Sequence, residues 1–416
     1  MLFKKTIYFS EIYFANAHNS LKNTSKNKNL NITAQTRLLL YGREYKMDSI
    51  IQGVKANVSN SNLIKREMGH SEIDKELEKL VDSQKASIRV IGCGGGGNNT
   101  LSRINQVGIK GVMTVAINTD AQDLLYTNCD KKILIGRELT KGLGAGSKPK
   151  VGEEAARESE NEIKESLKGA DMVFITCGLG GGTGTGSAPV VAELAKKQEA
   201  LTIAIVTVPF AMEGQARYEN ATYGLERLRK SVDTLIVIPN DKLLELVPDL
   251  PINTAFKVAD EILTNSVKGI AELVTRAGLV NLDFADIRAI MRDGGVALIG
   301  VGESDSENRA NEAVEKAIMN PLLDVDISGA TAALINISGG SDLTLSESKR
   351  VMEMVQEKLD PEAKVIWGAQ IYEDFEKTLR VMVIVTGVKS SQILGSKFTP
   401  KAKSEMESDL GIEFVD

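Results

Sequence analysis

The sequence has few of the residues that build metal centres and disulfide frameworks. Its 416 residues include three cysteines, Cys93, Cys129 and Cys177, and two histidines, His18 and His70. The cysteines are odd in number and have no C-x-x-C spacing, which argues against a zinc site or disulfide framework and favours a reducing cytoplasm. We therefore predict no metal site formed by the protein itself, and we interpret Cys93 and Cys177 as packing residues beside glycine-rich loops.

Long apolar runs and an excess of basic residues are also missing. No run approaches the 18 apolar residues of a membrane-spanning helix, so we predict no direct membrane insertion. The net charge of -6 argues against nucleic acid as a partner. A hydrophobic share of 42% and a charged share of 25% are typical of a globular protein, and the length is sufficient for two domains.

The two ends of the chain differ from the rest in composition. Residues 1–46 carry eight basic and two acidic residues, and we expect a partly disordered N-terminal extension over 1–86. A targeting peptide and translated sequence upstream of Met47 are both consistent with such a start. We predict that 389–416 is a disordered tail, whose mostly apolar peptide 410–415 docks on a partner such as a membrane-anchor protein. A terminus without function is the alternative.

A glycine-rich stretch, residues 178–186, carries the strongest chemical signal. It lies between an apolar, strand-like run, 170–177, and a helical pattern that we expect to begin at Pro189. Glycines at a helix start leave backbone N–H groups uncovered, and the helix adds partial positive charge there, so we predict an anion-binding loop. A flexible linker is the alternative, but linkers are not usually flanked by a buried strand and a helix start.

A second glycine run, residues 92–97, follows the predicted strand 87–91. It satisfies G-x-G-x-x-G, and Asp120 follows the next strand, where a dinucleotide-binding fold has its ribose-binding acid. A nicotinamide-dependent dehydrogenase is therefore a rival interpretation. A third glycine-rich turn, residues 142–147, lies between the two runs, and several loops around one anion favour a nucleoside triphosphate. The sequence has neither a P-loop motif nor the N-K-x-D guanine motif.

Residues 180–186 read GGGTGTG, and on this signature the chain resembles the tubulin/FtsZ family of GTPases, in the archaeal-type form that acts in cell division. The resemblance covers most of the chain after residue 86. It implies an α/β fold, in which a Rossmann-like parallel-sheet GTP-binding domain, 87–251, is joined by a long central helix, 252–276, to a second, smaller α/β domain. That domain, 277–388, includes the loop that activates hydrolysis.

The resemblance also implies a site for GTP and Mg²⁺. The implied GTP-binding residues of the first half are Gly94, Gly95, Gly96, Gly97, Asn98, Asn99, Asp120, Gly144, Ala145, Gly146, Gly180, Gly181, Gly182, Thr183, Gly184, Thr185 and Gly186. By the same resemblance, Glu213 contacts the ribose, Arg217 the phosphate or ribose region, and Asn240 the guanine edge. Phe256 would lie against the base, and Asp260 would accept guanine N–H bonds. An exposed i, i+4 ion pair is the alternative for Glu213 and Arg217.

Residues 281–286 match the family's hydrolysis-activating loop, which implies catalytic roles for Asn281, Asp283 and Asp286. The predicted helix 252–276 would span roughly 37 Å at about 1.5 Å per residue, so Asp283 and Asp286 would lie far from their own subunit's phosphates. We expect them to act in trans, on a neighbour's nucleotide, by polarising and orienting the attacking water. The alternative is an Asp pair that caps the following helix.

A site divided between two subunits has consequences for assembly. It requires a heterologous contact, and such contacts build open filaments unless they close into rings. We therefore expect a head-to-tail homopolymer whose GTPase is activated by polymerisation, located in the cytoplasm at the mid-cell division site. A tubulin-superfamily filament that shapes cells without acting in division is the alternative, and the sequence does not separate the two.

Overall fold

The computed structural model describes residues 86–109, 111–242, 252–276, 279–280, 282–323, 327 and 330–388. The predicted N-terminal extension up to residue 85, the tail after residue 388 and Asn281 lie outside these ranges. Of the helices within them, none is long and apolar enough to cross a membrane.

The strands of the described part form one sheet. They are β1 Ile88–Cys93, β2 Val112–Asn118, β3 Lys131–Leu134, β4 Met172–Gly178, β5 Leu201–Val208, β6 Thr234–Pro239, β7 Gly295–Ser304, β8 Ala332–Gly339, β9 Lys364–Ile371 and β10 Leu379–Thr386. Their order across the sheet is β3-β2-β1-β4-β5-β6-β7-β10-β8-β9. From β3 to β7 all neighbours are parallel, whereas β10 is antiparallel to both β7 and β8. The parallel strands β4 and β5 are buried on both faces, which is why they read as continuous apolar runs.

Helices connect the strands and cover both faces of the sheet. They are α1 Gly94–Val107, α2 Ala121–Tyr126, α3 Arg137–Thr140, α4 Pro149–Glu158, α5 Glu160–Leu167, α6 Thr183–Lys197, α7 Gln215–Ser231, α8 Ile252–Thr275, α9 Phe284–Met291, α10 Arg309–Ile318 and α11 Leu345–Gln356, with 3-10 turns at Ala211–Glu213 and Pro321–Leu323. The α/β fold with a long central helix, α8, is confirmed.

The core forms layers on the two sides of the sheet. On one face α8 packs with α1 and α9, and it contributes Ala259, Leu263, Val267, Ile270 and Leu273 at three- and four-residue spacing, which keeps them on one side of the helix. On the other face α4, α5, α6 and α7 bury the apolar side chains of the parallel strands. The central helix therefore runs across the sheet from the end of β6 toward the start of α9.

The sheet continues without a break between the two predicted domains. β6 belongs to the predicted GTP-binding domain and β7 to the second one, and they pair from Thr234 with Gly295 to Ile236 with Ala297. The domain boundaries themselves stay a prediction. One continuous sheet holds the two halves in register, because a shift of either half would break these pairs.

Candidate functional site

The first glycine run forms the beginning of helix α1, directly after strand β1. The helix begins at Gly94, so the N–H groups of its first turn belong to glycines and are not covered by side chains. Gly94 has a φ of +70°, and a Cβ there would lie 2.7 Å from the backbone nitrogen of Gly184. A Cβ at Gly97 would lie 2.5 Å from the carbonyl oxygen of Thr176 on β4. These glycines therefore let the helix N-terminus approach the second glycine run and the neighbouring strand.

The second glycine run forms the beginning of helix α6, directly after strand β4. The prediction that this helix starts at Pro189 is wrong, because α6 begins at Thr183 and Pro189 lies inside it. Glycine costs about 1 kcal/mol in a helix relative to alanine, so this glycine-rich segment does not resemble a helix on its own. Close packing compensates: a Cβ on Gly184 would lie only 2.8 Å from the carbonyl oxygen of Cys93. The N-termini of α1 and α6 thus meet with their partial positive charges side by side.

The third glycine-rich turn, 142–147, packs on the second run. A Cβ on Gly182 would lie 2.8 Å from the Cβ of Ala145 and 2.8 Å from the backbone nitrogen of Lys148. Just after β2, the hydroxyl of Thr119 is 2.6 Å from the hydroxyl of Thr183. The three glycine-rich stretches therefore lie together at the carboxyl edge of the parallel strands, where ligands bind in open α/β sheets.

A cavity of about 370 Å³ lies at this edge, and its size is typical of a small-ligand site. The starts of α1 and α6, the segments after β5 and β6, and the first turns of α8 surround it. Of the predicted site residues, those that line the cavity are Gly94, Gly95, Gly96, Asn99, Gly181, Gly182, Thr183, Gly184, Glu213, Arg217, Asn240, Phe256 and Asp260. The structure thus brings together residues from five separate segments of the sequence.

The other predicted GTP-binding residues do not line the cavity. They are Gly97, Asn98, Asp120, Gly144, Ala145, Gly146, Gly180, Thr185 and Gly186. Asp120 caps helix α2, since its Oδ1 accepts hydrogen bonds from the backbone N–H groups of Gln122 and Asp123. The Thr185 hydroxyl accepts a hydrogen bond from the N–H of Gly180 at 3.0 Å and so supports the turn before α6. Contact between these residues and a nucleotide stays a prediction.

The predicted GTP-binding residues do not include several residues of the cavity wall, namely Cys93, Gly178, Leu179, Thr207, Pro209, Ala259 and Leu263, of which Gly178 and Leu179 belong to the predicted anion-binding loop. The first five are at the carboxyl ends of strands or directly after them. Applying the rule for open α/β sheets to the last residues of each strand would have found them. Ala259 and Leu263 lie three and seven residues after Phe256, on the same side of α8.

Asp260 and Asn240 are among the side chains of the cavity wall that are able to accept hydrogen bonds from a ligand. Burial raises the pKa of Asp260 to about 6, although a hydrogen bond with Thr100 lowers it. Asn240 is 5% exposed, and its Oδ1 has no hydrogen-bond partner among the described residues. Phe256 is 40% exposed and meets Phe210 edge to face, with ring centroids 5.3 Å apart. An apolar ring beside two acceptors suits a flat base that carries N–H donors.

Glu213 and Arg217 form an ion pair that is part of the cavity wall. Glu213 Oε1 accepts a hydrogen bond from the backbone N–H of Phe210, and Oε2 lies 2.5 Å from Nη1 of Arg217. The i, i+4 pair expected as the alternative is therefore present. Because both side chains line the cavity, the pair is also placed to contact a ligand.

The cysteines near the cavity are packing residues. Cys93 and Cys177 are buried, and burial raises the pKa of both thiols, to about 12 for Cys93. A thiol with such a pKa stays protonated at neutral pH and is a poor nucleophile. No cluster of three or more His, Cys, Asp or Glu side chains is arranged as a metal site within the described part of the chain.

The carboxylates predicted to act in hydrolysis lie at the opposite edge of the sheet from the cavity. Asp283 and Asp286 are exposed at the start of α9. Farther along α9, Arg288 donates a hydrogen bond to the carbonyl oxygen of Glu199, just before the first residue of β5. The other end of β5 carries Thr207, which lines the cavity. From Leu201 to Val208, β5 has seven residue-to-residue steps of about 3.3 Å, which separate the two edges of the sheet by about 23 Å.

The capping alternative for this Asp pair is only partly supported. Asp283 occupies the N-cap position of α9, but its side chain accepts no cap hydrogen bond. Asp286 lies in the first turn, where the helix dipole favours a carboxylate. Asn281 lies outside the described residues. The structure thus places two carboxylates on the surface at the start of α9, far from the cavity of the same chain.

Two family models match the chain. The model "Tubulin/FtsZ family, GTPase domain" matches residues 87–248, and "FtsZ family, C-terminal domain" matches residues 295–389. These two matches correspond to the parallel half of the sheet and to the half that contains the antiparallel strands.

Relatives and solved structures agree with these matches. Cell division protein FtsZ 1 of Thermococcus kodakarensis is 62% identical over 82% of this chain and 90% of its own length. The protein of the same name from Pyrococcus abyssi is 59% identical over 86% of this chain and 96% of its own length. A solved structure described as an empty FtsZ dimer from M. jannaschii is 61% identical, has a TM-score of 0.74, and covers 77% of this chain and 93% of its own. The chain belongs to the tubulin/FtsZ family of GTPases.

Proposed function

We propose that this protein binds and hydrolyses GTP and polymerises head to tail into filaments of the cell division ring. Its family supports GTP binding, GTPase activity and self-association. The relatives described above are named cell division proteins, which favours a role in division over one in cell shape. The filament mechanism depends on one observation, the placement of the cavity and of Asp286 at opposite edges of the sheet.

In this proposal the phosphates of GTP lie at the N-termini of α1 and α6. Glycines there leave N–H groups uncovered, and the dipoles of both helices attract an anion. The Thr183 hydroxyl adds a donor at the first residue of α6. Glu213 and Arg217 are at the positions proposed to contact the ribose and the phosphate or ribose region.

The base would lie against Phe256, with its N–H groups on Asp260 and Asn240. Guanine carries adjacent N–H donors on one edge, and a carboxylate is an acceptor with two oxygens. Adenine has fewer donors on that edge and would leave a buried acceptor without a partner, which is costly. We therefore propose selectivity for GTP over ATP.

Mg²⁺ would be held mainly by the nucleotide and water. Mg²⁺ usually keeps several water ligands and binds through substrate phosphates and one or two carboxylates. The carboxylate of Asp123 lies beside Gly95 of the cavity wall, 3.8 Å from the place of a Cβ there. When bound, the ion would neutralise charge on the phosphates.

Hydrolysis would require a second subunit. About 23 Å of sheet separates the cavity from the start of α9, so Asp283 and Asp286 would reach only a neighbour's nucleotide. There they would polarise and orient the attacking water, in a reaction where positioning supplies most of the catalysis. Asn281 is proposed to assist from the same loop. Repetition of this contact builds a filament.

The test is the GTPase rate per subunit as a function of protein concentration, with Mg²⁺ and with light scattering recorded in parallel. The rate per subunit should rise from near zero above a threshold concentration, together with scattering. The same titration with GDP controls for aggregation that does not depend on the triphosphate. A rate per subunit that is independent of concentration would mean that each chain carries a complete site.

The tail and the location of the protein belong to the same proposal. We propose that peptide 410–415, which lies outside the described residues, docks on a membrane-anchor protein and so recruits filaments to the mid-cell division site from the cytoplasm. Deletion of the peptide should leave GTPase activity intact and abolish the position of the filaments at the division site. Filaments that remain at mid-cell without the peptide would refute this part of the proposal.

A further inference from the structure

The side chain of Asn220, on helix α7, connects two of the glycine-rich stretches behind the cavity. We propose that Asn220 is a positioning residue of the GTP site: its amide ties the turn 142–147 to the second glycine run and so keeps the N-terminus of α6 in its phosphate-binding conformation. This inference rests on the proposed binding of GTP.

The turn 142–147 has a backbone conformation that needs external support. Gly142, Gly144 and Gly146 all have positive φ, and so does Ser147, with φ +57°. A residue with a Cβ is disfavoured in this left-handed region and persists there only when surrounding contacts hold it. The carbonyl oxygen of Ser147 accepts a hydrogen bond from Nδ2 of Asn220 at 3.0 Å.

The same amide group also holds the second glycine run. Asn220 Nδ2 donates to the carbonyl oxygen of Gly180 at 3.2 Å. Gly180 is itself left-handed, with φ +101°, and its N–H donates to the hydroxyl of Thr185. A side-chain amide nitrogen has two donors, so one Asn serves both carbonyl groups at once.

A shift of the turn would be felt in the cavity because the contact leaves no free space. Ala145 of the turn is so close to Gly182 that a methyl group does not fit between them. Gly182 and the start of α6 line the cavity directly. Helix α7 packs closely against α6, because a Cβ on Gly224 of α7 would lie 2.6 Å from a methyl carbon of Thr185 on α6.

Asn220 does not itself contact the proposed ligand. It is half-buried and is not part of the cavity wall, whereas Arg217, three residues earlier on α7, is. Helix α7 therefore directs Arg217 toward the cavity and Asn220, about one turn later, toward the two loops. The effect of Asn220 on binding is transmitted through the position of those loops.

The test is the variant Asn220→Asp, which keeps the size of the side chain and replaces the two donors with a carboxylate facing two carbonyl oxygens. We expect the dissociation constant for GTP, measured by equilibrium dialysis, to rise about tenfold. Asn161→Asp, the same change at an exposed position of α5, is the matched control and should bind GTP like the wild type. An unchanged affinity of Asn220→Asp would overturn the inference.

Hydrogen exchange of the nucleotide-free protein separates positioning from a general loss of stability. In Asn220→Asp we expect faster exchange in residues 142–148 and 180–185, with unchanged exchange in β8 and β10. Faster exchange in those two strands as well would overturn the positioning role. If the wild-type protein itself failed to bind GTP, the proposed function would be refuted before the variants were compared.

Discussion

Lowering the pH from 7 to 5 should weaken GTP binding through Asp260. Burial raises the pKa of this carboxyl group to about 6, so it loses its charge within that interval. The proposed contact needs the ionised form, which only accepts hydrogen bonds, because guanine presents N–H donors. The affinity should therefore be highest above pH 6 and fall as the pH drops through this value.

The size of the effect follows from the pKa. With a pKa of about 6, the carboxyl group of Asp260 is ionised in roughly nine tenths of the free protein molecules at pH 7 and in roughly one tenth at pH 5. If only the ionised form binds, the dissociation constant rises about tenfold, which corresponds to about 1.4 kcal/mol.

Equilibrium dialysis with GTP over this pH range measures the change. The phosphates of GTP also titrate here, so the same series is run on Asp260→Asn, and the ratio of the two dissociation constants isolates Asp260. The variant should bind more weakly at pH 7, with a smaller dependence on pH. The same pH dependence in both proteins would refute the role of Asp260 as the acceptor.

Three further variants test the site and the fold. Gly182→Ala places a methyl group 2.8 Å from atoms of the neighbouring turn. Such overpacking costs about 1–3 kcal/mol and should displace the second glycine run, so the dissociation constant for GTP should rise about tenfold. Wild-type affinity in dialysis would remove the second glycine run from the site. Asp286→Ala should retain GTP binding and lose turnover by about a hundredfold. The control Asp305→Ala, at another exposed aspartate, should keep both GTP binding and turnover. A wild-type GTPase rate in Asp286→Ala would contradict the divided site. Arg309 is 7% exposed and paired with Glu347, so Arg309→Ala should cost about 3 kcal/mol in urea unfolding, and a loss below about 1 kcal/mol would show that the pair is dispensable.

Local pattern was sufficient to predict the strand, glycine run and helix at both glycine runs, 92–97 and 178–186. It was not sufficient to locate the start of α6, because the helical state of Thr183 and Gly184 depends on packing against the end of β1, which is distant in sequence. Intrinsic propensity argues against a helix there, and tertiary contact decides otherwise. Pro189 was therefore a misleading boundary.

Spacing rules predicted Asp120 as a site residue; the structure shows its side chain capping α2, and its contact with a nucleotide stays a prediction. The G-x-G-x-x-G rule assumes one glycine loop and one acid, and here the cavity is shared among several loops. The alignment of strand ends, which places residues such as Thr207 at the cavity, comes from pairing between strands. The order β7-β10-β8-β9 is likewise set by long-range pairing, which hydrophobic periodicity does not encode.

In the proposed mechanism, a complete GTPase site forms only between two subunits. Mixing two inactive proteins tests it most directly: Asp286→Ala, which has an intact cavity, and the double variant of Gly182→Ala with Asp260→Asn, which has an intact Asp286. The two changes in the double variant affect separate parts of the cavity, so their losses of affinity should add. A divided site predicts that the mixture hydrolyses GTP faster than the sum of the two separate rates, because the cavity of the first protein meets Asp286 of the second. A rate equal to that sum, with filaments present, would contradict hydrolysis in trans.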